Sequence, residues 1–139
     1  MKVKDVMHKG TTCVESGTSV KEIAKRMRDS NVGAIPVNAD GRLVGIVTDR
    51  DITCRALAGS GNLTTMTAKD VMTKNVLCCS PDDDIQVAIE TMEAKQIRRL
   101  PVTDSHKTVI GMLSLGDISH KVSKELSGEA LRAVSGHHV

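Results

Sequence analysis

The chain states one pattern twice. Lys4-Asp5-Val6-Met7 returns 65 residues later as Lys69-Asp70-Val71-Met72, and at the same offset Cys13 returns as Cys78, Met27 as Met92, and Ile35-Pro36-Val37 as Leu100-Pro101-Val102. One residue further on, Gly45-Ile46-Val47-Thr48-Asp49-Arg50-Asp51-Ile52 returns as Gly111-Met112-Leu113-Ser114-Leu115-Gly116-Asp117-Ile118. A repeat of this kind constrains the architecture before any single residue is weighed, because each copy is one supersecondary unit. It also implies that a site in one half has a sibling in the other.

With 139 residues the chain fits one domain of ordinary size. Each repeat of roughly 60 residues is marginal alone on surface-to-volume grounds, so the expectation is a shared core. No stretch approaches the roughly 18–20 apolar residues of a membrane span. The start of the chain lacks the apolar segment of a secretory signal. A soluble, cytoplasmic protein without membrane contact is therefore expected. Cys13, Cys54, Cys78 and Cys79 form no Cys-x-x-Cys pair and no disulfide framework. The repeat-matched Cys13 and Cys78 are expected as small buried hydrophobes. The net charge of +2 is nearly balanced, and Phe, Tyr and Trp are absent. Scattered basic residues and no stacking platform speak against nucleic acid. Any flat base bound here must lie between aliphatic groups.

Each half reads as strand, helix, strand, strand, helix. A lead-in (residues 3–7 and 68–72) precedes a short extended stretch (11–15 and 76–79). The first helix of each half carries an apolar stripe at helical spacing: Val20, Ile23, Ala24, Met27, and Ile85, Ala88, Ile89, Met92. Thr18 or Ser19 caps the first, and the carboxylates of Asp82, Asp83 and Asp84 suit the start of the second. Two strands follow (34–37 with 43–47, and 100–102 with 109–113). Asn38-Ala39-Asp40-Gly41 reads as the first hairpin turn and residues 103–107 as its longer counterpart. The closing helices are expected at about 50–58 and 116–126. The fold class is α/β, as two β-α-β-β-α repeats packed with pseudo-twofold symmetry into one module. The division is 1–60 for the first repeat with its lead-in, 61–67 for a linker, 68–126 for the second repeat and 127–139 for a C-terminal tail, loose from Ser135.

No catalytic set is present: there is no Gly-x-Ser-x-Gly, no P-loop and no His-Glu-x-x-His. The five histidines share no spacing. The informative element is the strand-to-helix junction, Thr48-x-x-Asp51 and Ser114-x-x-Asp117. A hydroxyl at a helix start beside free amides makes an anion site, and a carboxylate one turn on can accept the two hydroxyls of a ribose. The same pattern is also an ordinary helix start. Small Gly45 and Gly111 allow close backbone approach within the strand.

Taken in order, these motifs resemble a tandem pair of CBS domains over residues 1 to about 125. The resemblance implies a non-catalytic sensor that binds adenosine-containing ligands such as AMP, ADP or ATP in clefts between the repeats, with no catalytic cofactor and no metal. It implies that Asp51 and Asp117 hold ribose hydroxyls and that Thr48 and Ser114 face phosphates. Ile97-Arg98-Arg99-Leu100-Pro101 resembles the Ile-His-Arg-Leu-Pro stretch of the regulatory gamma subunit of AMP-activated protein kinase, where basic side chains meet phosphates. The first-repeat positions matching Arg98 and Arg99 are Gly33 and Ala34. Conversely, Arg50 stands where the second repeat has Gly116. The resemblance pairs Asp51 with Arg98 and Arg99, and Asp117 with residues near Thr12, Val32 and Gly33, with Ile97 beside the arginines. A homodimer and an unknown regulated protein partner complete the expectation. The competing readings are an interaction adaptor with vestigial clefts and a cysteine-based redox or metal module.

Overall fold

The computed structural model describes residues 1–136; His137, His138 and Val139, part of the tail expected to be loose, lie outside the described residues. In chain order the elements are α1 (Val3–Val6), β1 (His8–Lys9), β2 (Val14–Glu15), α2 (Val20–Ser30), β3 (Ala34–Ala39), β4 (Arg42–Thr48) and α3 (Asp49–Asp51), which widens into a π-helical stretch (Ile52–Leu57). Then come α4 (Ala68–Val71), β5 (Thr73–Lys74), α5 (Ile85–Lys95), β6 (Arg99–Thr103), β7 (Val109–Ser114), α6 (Leu115–Lys121) and α7 (Lys124–Val134). No described helix is long and apolar enough to cross a membrane.

The chain forms two compact units, and they cut it differently from the sequence division. One is Thr12–Val76; the other joins Met1–Thr11 to the chain from Leu77 onward. Each repeat has given its lead-in to the other half. In the Thr12–Val76 unit the sheet runs β2-β3-β4-β5. β2 is parallel to β3, β3 and β4 form an antiparallel hairpin, and β5 from the second lead-in closes the far edge. The other unit repeats the order as β6, β7 and β1, with β1 supplied by the first lead-in. In place of β2, a single parallel bridge joins Cys79 to Val102. The extended stretch expected at 76–79 is reduced to that one contact.

Glycine makes the exchanged edges possible. Gly45 pairs with Lys74, and a β-carbon on it would lie 2.5 Å from Met72 Sδ and 3.0 Å from the Thr73 carbonyl. Gly111 pairs with Lys9, and its β-carbon would lie 2.8 Å from the His8 carbonyl and 3.0 Å from Met7 Sδ. From the sequence these glycines are expected to serve the ligand junction; what comes close to them is the exchanged strand. In the first hairpin the turn is Asp40-Gly41, both at positive φ (53° and 76°), as a two-residue type I′ connection requires.

The expected stripes are the core faces. Val20, Ile23 and Met27 of α2 pack with Ile35, Val37, Val47 and the lead-in residues Ala68 and Val71. Ile85, Ala88, Ile89 and Met92 of α5 pack with Leu100, Val102, Leu113, Ile118 and the lead-in residues Val3 and Val6. Ser19 Oγ accepts the Glu22 amide at 3.1 Å, and Asp84 Oδ1 accepts the Gln86 amide at 2.8 Å. Asp83 accepts the Ser80 amide and Asp82 pairs with Lys4 at 3.2 Å, so all three acids serve local structure.

Three expectations are corrected. The helix placed at 116–126 is two helices, broken at Val122 and restarted where Ser123 Oγ accepts the Leu126 amide. Most of the tail assigned from 127 is α7, whose Ala130 and Val134 are buried in the core of that unit. Cys13 and Cys78 are half-buried; the buried thiol is Cys79, which takes the place of Val14 at the sheet edge.

Candidate functional site

Both junctions fold into one device. Thr48 is extended (φ −108°, ψ 162°) and leaves β4 as the N-cap of α3. Its Oγ1 accepts the Asp51 amide at 3.1 Å while its own amide donates to Asp51 Oδ2 at 2.9 Å. Ser114 does the same ahead of α6, with both bonds to Asp117 at 3.0 Å. These are reciprocal capping boxes, which satisfy two orphan amides at once. The helix-start reading of the motif is therefore realised, and it fixes one oxygen of each acid while leaving the other for a second partner. The junction is also tied to the strand beside it: the Asp49 amide donates to the Gly33 carbonyl at 3.0 Å, and the Leu115 amide to the Arg98 carbonyl at 2.9 Å.

What surrounds the boxes differs. Asp51 is 9% exposed, and its Oδ1 lies 3.6 Å from Arg55 Nε. The same guanidinium donates to the carbonyls of Val71 (3.4 Å) and Met72 (3.0 Å), so it spans from the acid to the end of α4. Asp49 Oδ1 accepts the Arg50 amide at 2.9 Å, which places a second carboxylate at this helix start. In the other unit the matching positions are Leu115 and Lys121. Asp117 is half-buried, and among the described residues no ion pair of 4 Å or less is assigned to it.

Strand register brings in the arginines. Arg99 pairs with Ser114 across β6 and β7, as Ala34 pairs with Thr48 across β3 and β4. Directly opposed residues share a face of the sheet, so Arg99 and Ser114 are neighbours. A cavity of about 610 Å³ opens here, lined by Arg98 and Arg99 from the start of β6 and by Ser114, Leu115 and Gly116 from the junction. Ser119 of α6 and Ser127, Gly128 and Leu131 of α7 complete it.

The residues singled out from the sequence divide between the units. Thr12, Val32, Gly33, Thr48, Arg50 and Asp51 belong to one; Ile97, Arg98, Arg99, Ser114 and Asp117 belong to the other. Val32 and Ile97 follow residues in left-handed conformation, Asn31 and Gln96, and their amides close the preceding helices onto Met27 and Met92. Thr12 and Val32 are exposed and Ile97 packs against the core. Sequence reasoning did not find Asp49, Arg55, or the α7 residues. Arg55 carried a signal, standing one turn after Asp51, where a cation meets a carboxylate.

The cysteines have a different character. Burial, then the nearby Asp83 and Cys78, push the Cys79 thiol up to about 12, and burial raises Cys13. A raised thiol is a poor nucleophile and a poor metal ligand. Among the described residues no group of three or more His, Cys, Asp or Glu is placed to hold a metal ion.

Comparison with known proteins gives a consistent result. The CBS domain family matches residues 3–56 and 68–124. The CBS domain-containing protein YhcV of Bacillus subtilis is 35% identical over 138 residues, covering 99% of this chain and 97% of YhcV. Homoserine O-acetyltransferase of Methanohalobium evestigatum is 37% identical over 123 residues, 88% of this chain; the chain spans only 24% of that protein's length. Hypoxic Response Protein I, solved with two coordinated zinc ions, superposes with a TM-score of 0.80 at 31% identity, covering 88% of this chain and 100% of that one. The CBS domain pair of protein MJ0100, in complex with 5′-methylthioadenosine and S-adenosyl-L-methionine, gives a TM-score of 0.78 at 30% identity, covering 93% and 98% of the two chains. CBSX2 in complex with AMP gives 0.77 at 25% identity, covering 86% and 94%.

Proposed function

The chain belongs to the CBS domain family, and on that premise we propose that it is a non-catalytic regulatory module whose ligand is an adenosine-containing compound. The observation that carries the reading is the doubled box. Each unit holds a carboxylate at a helix start with one oxygen committed to the cap; the other would take a ribose hydroxyl, at Asp51 in competition with Arg55. Asp51 and Asp117 are the ribose acceptors in this reading. Thr48, Arg50, Ser114, Arg98 and Arg99 are the phosphate-side groups. MJ0100 and CBSX2 support it, since both are described with adenosyl ligands. In this reading the output is a shift of population toward the arrangement the ligand fits best, read by a partner or by a homodimer of the chain itself.

The test uses the missing aromatics. With no Trp, Tyr or Phe, the protein is nearly silent at 280 nm, so a band near 260 nm in purified protein reports retained nucleotide. Calorimetry with AMP, ATP, S-adenosylmethionine and NAD then identifies the ligand. Asp51→Asn and Asp117→Asn keep an oxygen for the cap and remove the charge. A hydrogen bond to a charged group contributes about 1.5–3 kcal/mol, so at least one variant loses about tenfold or more in affinity. Unchanged affinity in both variants contradicts the assignment.

A further inference from the structure

We propose that α7 is a wall of the ligand site in its unit, and that Ser127 and Gly128 adapt that site to a phosphate-bearing ligand. The inference rests on the reading above and adds residues that the repeat does not supply. The family match ends at residue 124, and α7 spans Lys124–Val134. The Thr12–Val76 unit has no counterpart among the described residues: after the π-helical stretch, Asn62 Oδ1 accepts the Thr64 amide in a turn that leads to α4.

One face of α7 explains itself. Leu126, Ala130 and Val134 recur every four residues and pack on the core. The adjacent stripe, Ser127, Gly128 and Leu131, lines the cavity shared with Arg98, Arg99 and Ser114, and residues three and four apart do lie side by side on a helix. Two members of that stripe lack a structural reason. Ser127 Oγ is buried and has no hydrogen-bond partner among the described residues, an unfavourable state for a hydroxyl. Gly128 sits inside the helix at ordinary φ, and a β-carbon there would meet nothing within 4 Å. Glycine weakens a helix relative to alanine, and neither packing nor backbone conformation calls for it. The space a side chain would take is the space of the cavity.

The lining selects the ligand chemistry. Among the described residues, two arginines and three serines line the cavity and no carboxylate does. Charge-assisted bonds to phosphate are the strong kind, whereas a sulfonium meets like charge. Leu115 and Leu131 offer the aliphatic contact that a flat base needs in a chain without aromatic residues. A volume of about 610 Å³ lies in the range of small-molecule sites.

The test uses the full chain with AMP, adenosine and S-adenosylmethionine as probes. Gly128→Leu is expected to raise the melting temperature, because leucine is the better helix former, and to weaken AMP about tenfold or more by filling the cavity. Gly128→Ala raises the melting temperature and keeps AMP within about threefold, which guards against a folding artefact in the larger variant. Ser127→Ala weakens AMP about three- to tenfold while leaving adenosine nearly unchanged. S-adenosylmethionine binds more weakly than AMP to the unsubstituted chain. If Gly128→Leu and Ser127→Ala bind AMP as the unsubstituted chain does, while Asp117→Asn loses it, α7 is not a wall and only this inference falls. If the unsubstituted chain binds none of the three probes, this inference and the reading beneath it both fall.

Discussion

Exchange of the two lead-ins predicts an asymmetric response to one extra methyl group. At Gly45 the atoms nearest an added β-carbon are Met72 Sδ at 2.5 Å and Cγ at 2.9 Å, with the Thr73 carbonyl at 3.0 Å. Ordinary contact lies at about 3.5–4.0 Å, so the thioether must withdraw by about 1 Å, a movement that a flexible side chain can make. At Gly111 the nearest atom is the His8 carbonyl at 2.8 Å, with Met7 Sδ at 3.0 Å. That carbonyl belongs to a two-residue strand held at its Lys9–Gly111 and His8–Met112 positions, and relief there means parting β1 from β7. Overpacking costs about 1–3 kcal/mol. Gly45→Ala belongs near the lower end of that range and Gly111→Ala near the upper.

Double-mutant cycles separate the two cases. Met72→Ala on the Gly45→Ala background recovers about 1 kcal/mol of coupling, because it removes the clashing atoms. Met7→Ala on the Gly111→Ala background recovers less than half of the loss, because the backbone carbonyl remains. Urea titration followed by far-ultraviolet circular dichroism suits a chain without aromatic residues. With a slope of about 1–3 kcal/mol per molar, 1 kcal/mol moves the midpoint by a readable fraction of a molar. Equal recovery in both cycles, or two neutral alanine variants, refutes the close backbone approach at Gly111.

Two further outcomes follow from titrating groups. Cys79, with its thiol pushed up to about 12 by burial first and by Asp83 and Cys78 after it, resists alkylation at pH 8 until the chain unfolds, whereas exposed Cys54 is modified in the native state; mass mapping of a timed labelling checks the order. The Asp70 carboxyl, held below its ordinary value chiefly by the Thr67 amide bond at 2.8 Å, contributes stability that is complete above the unfolded value of about 3.9 and is lost as pH falls through the lower folded value. Carboxyl chemical shifts place its midpoint below about 3.9, and Asp70→Asn removes that part of the acid-side slope.

The sequence made some elements readable because they are local. Caps, stripes and the Asp40-Gly41 turn are each settled within a few residues. The exchange of lead-ins was not readable, because β1 and β5 are two residues long and carry no period from which a partner could be read. Their trace in the sequence was indirect, in Gly45 and Gly111, which only the approach of a second backbone explains. α7 was passed over for another reason. The helical stripe of the preceding segment ends at Ile118, and a new register starts with Ser123. Leu126, Ala130 and Val134 at spacings of four, behind a serine cap, were the signal. In the site, Thr48, Asp51, Ser114 and Asp117 were visible as a spacing. Asp49 was not, and Arg55 showed only as a cation one turn after Asp51, because their significance depends on which carboxylate oxygen is already committed to the cap.

That commitment explains why the two boxes share geometry and differ in charge. Each box is required by folding: without it, two amides at a helix start lose their partners. The hydroxyl and the acid are thereby constrained whether or not a ligand binds. The neighbours are not part of either box, and their charges differ between the units. Gly33 and Ala34 match Arg98 and Arg99, Asp49 matches Leu115, Arg50 matches Gly116, and Arg55 matches Lys121. The first box therefore holds its acid against Arg55, with a second carboxylate, Asp49, on the adjoining amide. Among the described residues the second box shows no such pair for its acid, and two arginines and a cavity lie beside it. A ribose entering at Asp51 must share the carboxylate with an existing cation, and a phosphate entering there meets Asp49. At Asp117 neither cost is found among the described residues. On the proposed reading, the shared geometry offers both places to a nucleotide, and the differing charges favour the Asp117 place for an anionic ligand.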